Sequence, residues 1–309
     1  MSKLVTRASS INRALDQIGD KWCLLIIQEV FWGINSFTEM MTAMGVSRGV
    51  LSDRLKWLQS IDCLQQVSER KGGRRMTYHL TQKSIELYDN ALMALNWERK
   101  FFDTPQLDNI ALIHSKCGKA FTPQMLCRKC DEEILVPEVS YKPGPGARRD
   151  EREMKVRRRS SISVEEVPSK RSLYKNLINI VGDRWTSNVI ALSFHGLTRF
   201  DQFHQELPVA TNILSDRLKF LVEHGVFQQI AYQERPKRFE YQLTEMGEAL
   251  YPYFLTLLQW GDKWCDSNNE GKPMRLTHDR CGYALVGKVT CSECGGVLKA
   301  HDVQFVGTQ

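Results

Sequence analysis

A chain of 309 residues with 42% hydrophobic side chains can bury two ordinary cores, and no run in it approaches the roughly 18 apolar residues of a membrane span. No signal-peptide pattern opens the chain, so a cytoplasmic protein is expected, and nine cysteines in a reducing compartment point to metal binding or free thiols rather than a disulfide framework. The net charge of +6 is concentrated in residues 141–171, which carry ten basic and five acidic side chains; this stretch reads as a basic linker.

In chain order, the first strong signal is a buried helix. Trp22 to Phe31 is apolar nearly all round, and Asp20 is placed to cap it. Ser36 and Glu39 then have capping-box spacing, which predicts a short helix ending near Gly45. In the next segment Leu51, Leu55 and Leu58 share one face, leaving Arg48, Gly49, Ser52, Asp53 and Lys56 on the other. Two helices joined through a glycine turn make a helix-turn-helix, whose second helix lies in the DNA major groove. Two alternating runs follow, Leu64–Arg70 and Arg75–Leu80, joined at Lys71-Gly72-Gly73-Arg74 as a hairpin with a basic tip. From Thr81 onward Ile85, Tyr88, Leu92 and Leu95 predict one longer helix, serving either the core or a seam between modules.

The whole order then recurs. LSDRLKWL at Leu51 returns as LSDRLKFL at Leu214, an offset of 163, and Gly19-Asp20-Lys21-Trp22 returns as Gly182-Asp183-Arg184-Trp185. The chain is a tandem duplication. The second hairpin tip is Glu234-Arg235-Pro236-Lys237, and the second long helix contains Leu250, Phe254 and Leu257.

Each copy also carries a cysteine cluster. His114 and Cys117 are followed by Cys127 and Cys130, and His278 and Cys281 by Cys291 and Cys294. Each run offers one imidazole and three thiols, and two-residue spacers let paired ligands reach adjacent corners of a tetrahedron around zinc. Two structural zinc sites, one per run, are expected; an iron cluster or plain reduced thiols are the alternatives. Gly118, Gly282 and Gly295 follow ligand cysteines where a tight turn is needed, with Asp131 in the fourth such place. A four-ligand site has no open position for a substrate and no nucleophile is paired with a base, so no enzyme is expected. Cys23, Cys63 and Cys265 remain as small core residues.

The stretch Ala14 to Trp22, Ser36-Phe37, Leu51-Ser52-Asp53-Arg54-Leu55 and Tyr78-His79-Leu80-Thr81 resemble the HxlR-type winged-helix transcription regulators, relatives of the MarR group. The resemblance covers residues of about 9–103 and again 172–266. It implies a mainly α fold with small β-hairpin wings, in two tandem winged helix-turn-helix modules. The modules are placed at 1–107 and 172–270, each followed by a zinc-knuckle-like segment at 108–140 and 271–309, with the linker at 141–171. Since such regulators usually carry one module and work as homodimers, the chain resembles a covalently joined pair; further association of two chains stays open. Redox-responsive members carry a cysteine ahead of the first helix, where this chain has Ser9 and Ser172.

The expected partner is double-stranded DNA. In the first copy its contacts would be Arg48, Ser52, Asp53, Arg54, Lys56 and the wing residues Lys71, Arg74 and Arg75; in the second, Thr211, Asn212, Ser215, Arg217, Lys219, Arg235, Lys237 and Arg238. Arg48 suits guanine and Asn212 adenine, whereas for Arg54 and Arg217 an internal carboxylate competes with phosphate. Ala210 replaces Ser47 as N-cap of the second recognition helix, which leaves that helix start less defined. The alternative is a zinc-stabilised protein-interaction module.

Overall fold

The computed structural model describes residues 4–68, 76–152, 172–266 and 269–307. The first copy contains β1 (Leu4–Arg7), α1 (Ser10–Ile18), α2 (Lys21–Phe31), α3 (Phe37–Met44), α4 (Arg48–Ser60), β2 (Leu64–Ser68), β3 (Met76–Leu80), α5 (Gln82–Ile85), α6 (Tyr88–Phe101), α7 (Pro105–Asp108), β4 (Ile110–His114), β5 (Pro123–Cys127), β6 (Val139–Pro143) and β7 (Arg149–Arg152). The second contains α8 (Lys175–Val181), α9 (Arg184–Ser193), α10 (Phe200–Glu206), α11 (Thr211–Glu223), β8 (Phe227–Glu234), β9 (Lys237–Leu243), α12 (Glu245–Glu248), α13 (Tyr251–Trp264), β10 (Met274–His278), β11 (Tyr283–Ala284), β12 (Gly287–Cys291) and β13 (Val303–Gly307).

The local chemistry that predicts these elements is present. Asp20 accepts from the backbone N–H groups of Trp22 and Cys23 and starts α2, and Asp183 does the same for α9. Ser36 and Glu39 bond each other reciprocally at the start of α3, which ends at Gly45 with φ 58°. Leu51, Leu55 and Leu58 of α4 are buried, as are Leu214, Leu218 and Leu221 of α11. Each such leucine contributes on the order of 1.5–3 kcal/mol to holding its helix down.

Two sequence expectations change. The helix expected from Thr81 is two pieces, α5 and α6. Its first turn is tied to the base of the wing: Ser84 Oγ donates to the Cys63 carbonyl at 2.5 Å and Lys83 Nζ to that of Ile61 at 2.7 Å. In the second copy Gly247 takes the place of Ser84, because a Cβ there would lie 2.3 Å from the Val226 carbonyl oxygen. The stretch expected to be a tether from residue 141 is structured at its start, since β6 pairs with β10 and β7 with β1. Pairing with strands distant in sequence leaves no alternation within the stretch itself to betray it. Residues 153–171 lie outside the described residues.

The described residues divide into two units that do not coincide with the two copies. One gathers 1–14, 124–160 and 183–289; the other gathers 15–123, 161–182 and 290–309. Each unit therefore holds the helix-turn-helix of one copy and flanking pieces of the other.

In the first unit β6 pairs antiparallel with β10, Tyr141 opposite Leu276, and β11 lines the other edge. Asn12 accepts from Asn188 at 3.3 Å, and Gly261 of α13 faces the Ser10 carbonyl so closely that a Cβ would lie at 2.2 Å. In the second unit β13 pairs with β4, Val303 opposite His114. There α8 sits on α6: the buried Glu98 carboxylate accepts from the backbone N–H groups of Asn176 and Leu177 and from the Asn176 side chain, at 2.8–3.1 Å. The segments exchanged are equivalent ones, so the exchange is reciprocal. Among the described residues no helix is long and apolar enough to cross a membrane.

Candidate nucleic-acid interface and metal centres

The leucine rows of α4 and α11 decide which side chains remain available outside. With those rows buried, Arg48, Gly49, Asp53 and Lys56 of α4 are exposed and Ser52 is half-buried; on α11 Thr211, Asn212, Ser215, Asp216 and Lys219 are exposed. The Ser47 side chain accepts from Val50 N–H at 3.4 Å. Ala210 has no side-chain acceptor, yet α11 begins at Thr211, the residue equivalent to Arg48, because the Ala210 backbone takes the same extended conformation as Ser47. Arg48 lies over the Phe37 ring at 5.7 Å, which orients it at the mouth of the turn. Lys219 has a 3.7 Å ion pair with Glu223 one turn on, so it too is steered along the helix surface.

Arg54 and Arg217 do not belong with these. Arg54 Nε and Nη2 donate to the two carboxylate oxygens of Asp20 at 2.8 and 3.1 Å, and Arg217 does the same to Asp183 at 2.9 and 3.2 Å. The arginine on the inner shoulder of the second helix therefore clamps the N-cap of the buried helix. The planar guanidinium meets the carboxylate with two of its five N–H groups.

Burial works against charge on Asp183, but Arg217 and the N–H and O–H of Thr186 outweigh it and hold the carboxyl below the usual carboxylate range. A depressed folded value means stability that is present above the unfolded pKa of about 3.9 and is lost as pH falls through the folded one. In Arg217→Met the acid-side loss of melting temperature is therefore expected to flatten as pH falls below about 4. An unchanged slope in that variant would assign the acid loss to another carboxylate.

Both copies carry a wing. β2 and β3 form the first hairpin, Val67 opposite Thr77; its tip residues Lys71, Arg74 and Arg75 lie outside the described residues. The second pairs Phe227 with Leu243 and Glu234 with Lys237, and Arg235, Lys237 and Arg238 at its end are exposed. Arg199 was not among the sequence candidates. It pairs with Glu240 of β9 at 2.9 Å and stacks on Tyr232 at 4.4 Å, joining the start of α10 to this wing. It occupies the position of Ser36, so the signal was a cap position taken by a cation.

The eight predicted ligands come together, but not in the expected sets. His114 and Cys117 meet Cys291 and Cys294, while Cys127 and Cys130 meet His278 and Cys281, the ligand atoms in each set lying within 4.8 Å of one another. The grouping by sequence neighbourhood is thus incorrect. The fold pairs β4 with β13 and β6 with β10, which carries each Cys pair to the other copy's His-Cys pair. Either set could hold a metal ion, and each lies within a single unit.

Nδ1 of His114 faces Cys117 Sγ at 3.5 Å and Cys294 Sγ at 3.3 Å; Nδ1 of His278 faces Cys281 Sγ at 3.5 Å and Cys130 Sγ at 3.4 Å. All four loops place a left-handed residue after the second ligand: Gly118 (φ 69°), Asp131 (φ 61°), Gly282 (φ 73°) and Gly295 (φ 66°). Gly296 is further constrained, since a Cβ would stand 3.2 Å from His114 Cε1 and 3.3 Å from Cys294 Sγ. Around the sets stand Asp302, bonded to Lys116 at 2.8 Å, and Glu138, bonded to Arg280 at 2.9 Å. These carboxylates are equivalent in the two copies, a correspondence present in the sequence. Cys23, Cys63 and Cys265 are buried, as core residues should be; burial pushes the Cys63 thiol up to about 11.

A helix-turn-helix with an outward second helix and a hairpin wing, present twice, defines the winged helix-turn-helix class of DNA-reading folds. The chain belongs to the HxlR-like helix-turn-helix family, whose model matches residues 17–106 and 180–269, more than half of its length. It is 37% identical over 126 residues to an uncharacterized HTH-type transcriptional regulator of Mycobacterium bovis, covering 41% of this chain and 79% of that protein. It is 32% identical to the uncharacterized HTH-type transcriptional regulator YvaP of Bacillus subtilis, covering 30% and 87%. A solved structure, that of the candidate transcription factor PA1607, is 34% identical with a TM-score of 0.38, covering 42% of this chain and 90% of that one. The chain is a transcriptional regulator of the HxlR type.

Proposed function

We propose that the protein is a sequence-specific DNA-binding regulator that reads two unequal half-sites through α4 and α11, with a structural zinc ion in each set of one histidine and three cysteines. The observation that carries the first part is the contrast between the faces of these helices. Their buried leucines are identical, whereas the exposed pair Arg48-Gly49 becomes Thr211-Asn212. Arg48 favours guanine and Asn212 adenine by hydrogen-bond geometry. Lys56, Lys219, Arg235, Lys237 and Arg238 serve as phosphate contacts, and the tip residues Lys71, Arg74 and Arg75 of the first wing are assigned the same role. Arg54 and Arg217 are assigned to positioning instead.

Selection of binding sites from random duplex with the tandem chain is expected to return two dissimilar half-sites; a perfect palindrome would refute unequal reading. Affinity is expected to fall steeply with salt, and Lys56→Ala to weaken all sequences alike while lowering the log-log salt slope by about one. A slope near zero in the unmodified protein would remove DNA as the partner.

Zinc is supported by donor chemistry and spacing. Soft sulfur with one imidazole selects it, and bonds of about 2.0–2.3 Å to a tetrahedral ion require neighbouring donors roughly 3.3–3.8 Å apart. The four N–S separations of 3.3–3.5 Å fit this, and the Cys117–Cys291 sulfur separation of 4.0 Å lies just outside it. Nε2 of His114 and of His278 is buried without a hydrogen-bond partner among the described residues, so a metal on Nδ1 leaves Nε2–H to be oriented by the surrounding shell, as Glu138 Oε2 at 3.9 Å from His278 Nε2 would do.

A further inference from the structure

Where the two copies differ inside the fold, the difference is a cavity. In the second unit a pocket of about 160 Å³, open to solvent on one side, lies among α2, α6, residues just ahead of α8, and β13. Its wall includes Phe31, Trp32, Tyr88, Ala91 and Phe305. The position equivalent to Ala91 is Phe254, which is 1% exposed and packs its ring 5.6 Å from that of Phe194, the residue equivalent to Phe31. One copy thus fills with a phenyl ring the place that the other leaves open.

We propose that this cavity is a binding site for a small uncharged aromatic molecule, a single ring bearing one hydrogen-bond acceptor such as a carbonyl. Three features select that class. Cavities of about 150 Å³ with such walls hold one benzene-sized ring. The residues lining this one include no charged side chain, so an ionised ligand would lose its hydration without compensation. Tyr88, 8% exposed, has a buried hydroxyl with no hydrogen-bond partner among the described residues, and burial pushes its phenol above the ordinary range, which keeps the proton on as a donor. Trp32 both lines the space and is 42% exposed, with its ring 4.8 Å from Phe305; entry is from this side.

The site contains none of the metal-set residues and none of the DNA-facing residues, and its test reads ligand binding rather than metal content or DNA affinity. Acetophenone titrated into the full-length zinc-loaded protein, followed by ligand-observed NMR and calorimetry, is expected to saturate one site per chain. Ala91→Phe, which copies the second repeat, is expected to abolish binding. Tyr88→Phe preserves shape and is expected to weaken acetophenone about tenfold, the worth of one buried hydrogen bond, while leaving toluene unaffected. Should Ala91→Phe melt well below the unmodified protein, the smaller Ala91→Met replaces it in the same comparison. Absence of saturable binding at millimolar acetophenone, or equal binding by a folded Ala91 variant, overturns the proposal; so does an equal effect of Tyr88→Phe on both probes.

Discussion

In a chain carrying Cys117→Ser together with Cys291→Ser, one zinc ion per chain is expected to survive dialysis against a chelator, whereas Cys117→Ser with Cys127→Ser is expected to lose both. The two pairs are chemically the same change and differ only in which set each serine enters. Cys117 and Cys291 belong to one four-ligand set, so their joint loss spares the other; Cys117 and Cys127 belong to different sets. Grouping by sequence neighbourhood would give the reverse outcome, which makes metal analysis of these two variants decisive.

The energetic consequence of complete chelation should be large. A structural zinc of this kind contributes on the order of 10 kcal/mol. Part of that arises from closing a long loop: Cys117 and Cys291 stand 174 residues apart and Cys130 and His278 148 apart, separations for which chain entropy alone gives about 5 kcal/mol. Chelator is therefore expected to lower the melting temperature of the whole chain, not merely to fray its end, as thermal melts with and without it would measure.

That exchange is also where sequence reasoning met its limit, for a physical reason. Local chemistry was legible: Asp20, Ser36 and Gly45 end and begin helices by backbone bonding that needs only neighbours, and the leucine rows of α4 and α11 state their buried face by spacing. All eight members of the two sets that could hold a metal ion were legible from residue type. Their partnership was not, because in a duplicated chain every interaction within a copy has a chemically identical counterpart between copies, and ligand spacing cannot distinguish them. The carboxylate partners of Arg54 and Arg217 lie 34 residues away; the sequence marks the competition between carboxylate and phosphate but not its outcome. The cavity did leave a trace, in the replacement of Phe254 by Ala91 within an otherwise matched helix.

Asp20→Ala is expected to cost about 3–5 kcal/mol, most of it from the broken pair with Arg54. As N-cap it accepts from Trp22 and Cys23 N–H at 3.1 and 3.3 Å, a role worth about 1 kcal/mol. As the partner of Arg54 it compensates a guanidinium whose side chain is 12% exposed, and removing it leaves that charge unpaired where water scarcely reaches. Arg54→Met in the same chain removes the stranded charge while keeping the apolar stem, and is expected to recover most of the loss. Denaturant titration of the two single variants and the double would measure the coupling. Asp183→Ala should cost less, about 1–3 kcal/mol, because the Arg217 side chain is 27% exposed and can turn to solvent. If both aspartates cost the same and the double variant recovers nothing, the arginines are not clamped to the caps, and Arg54 returns to the set of side chains available to a DNA phosphate.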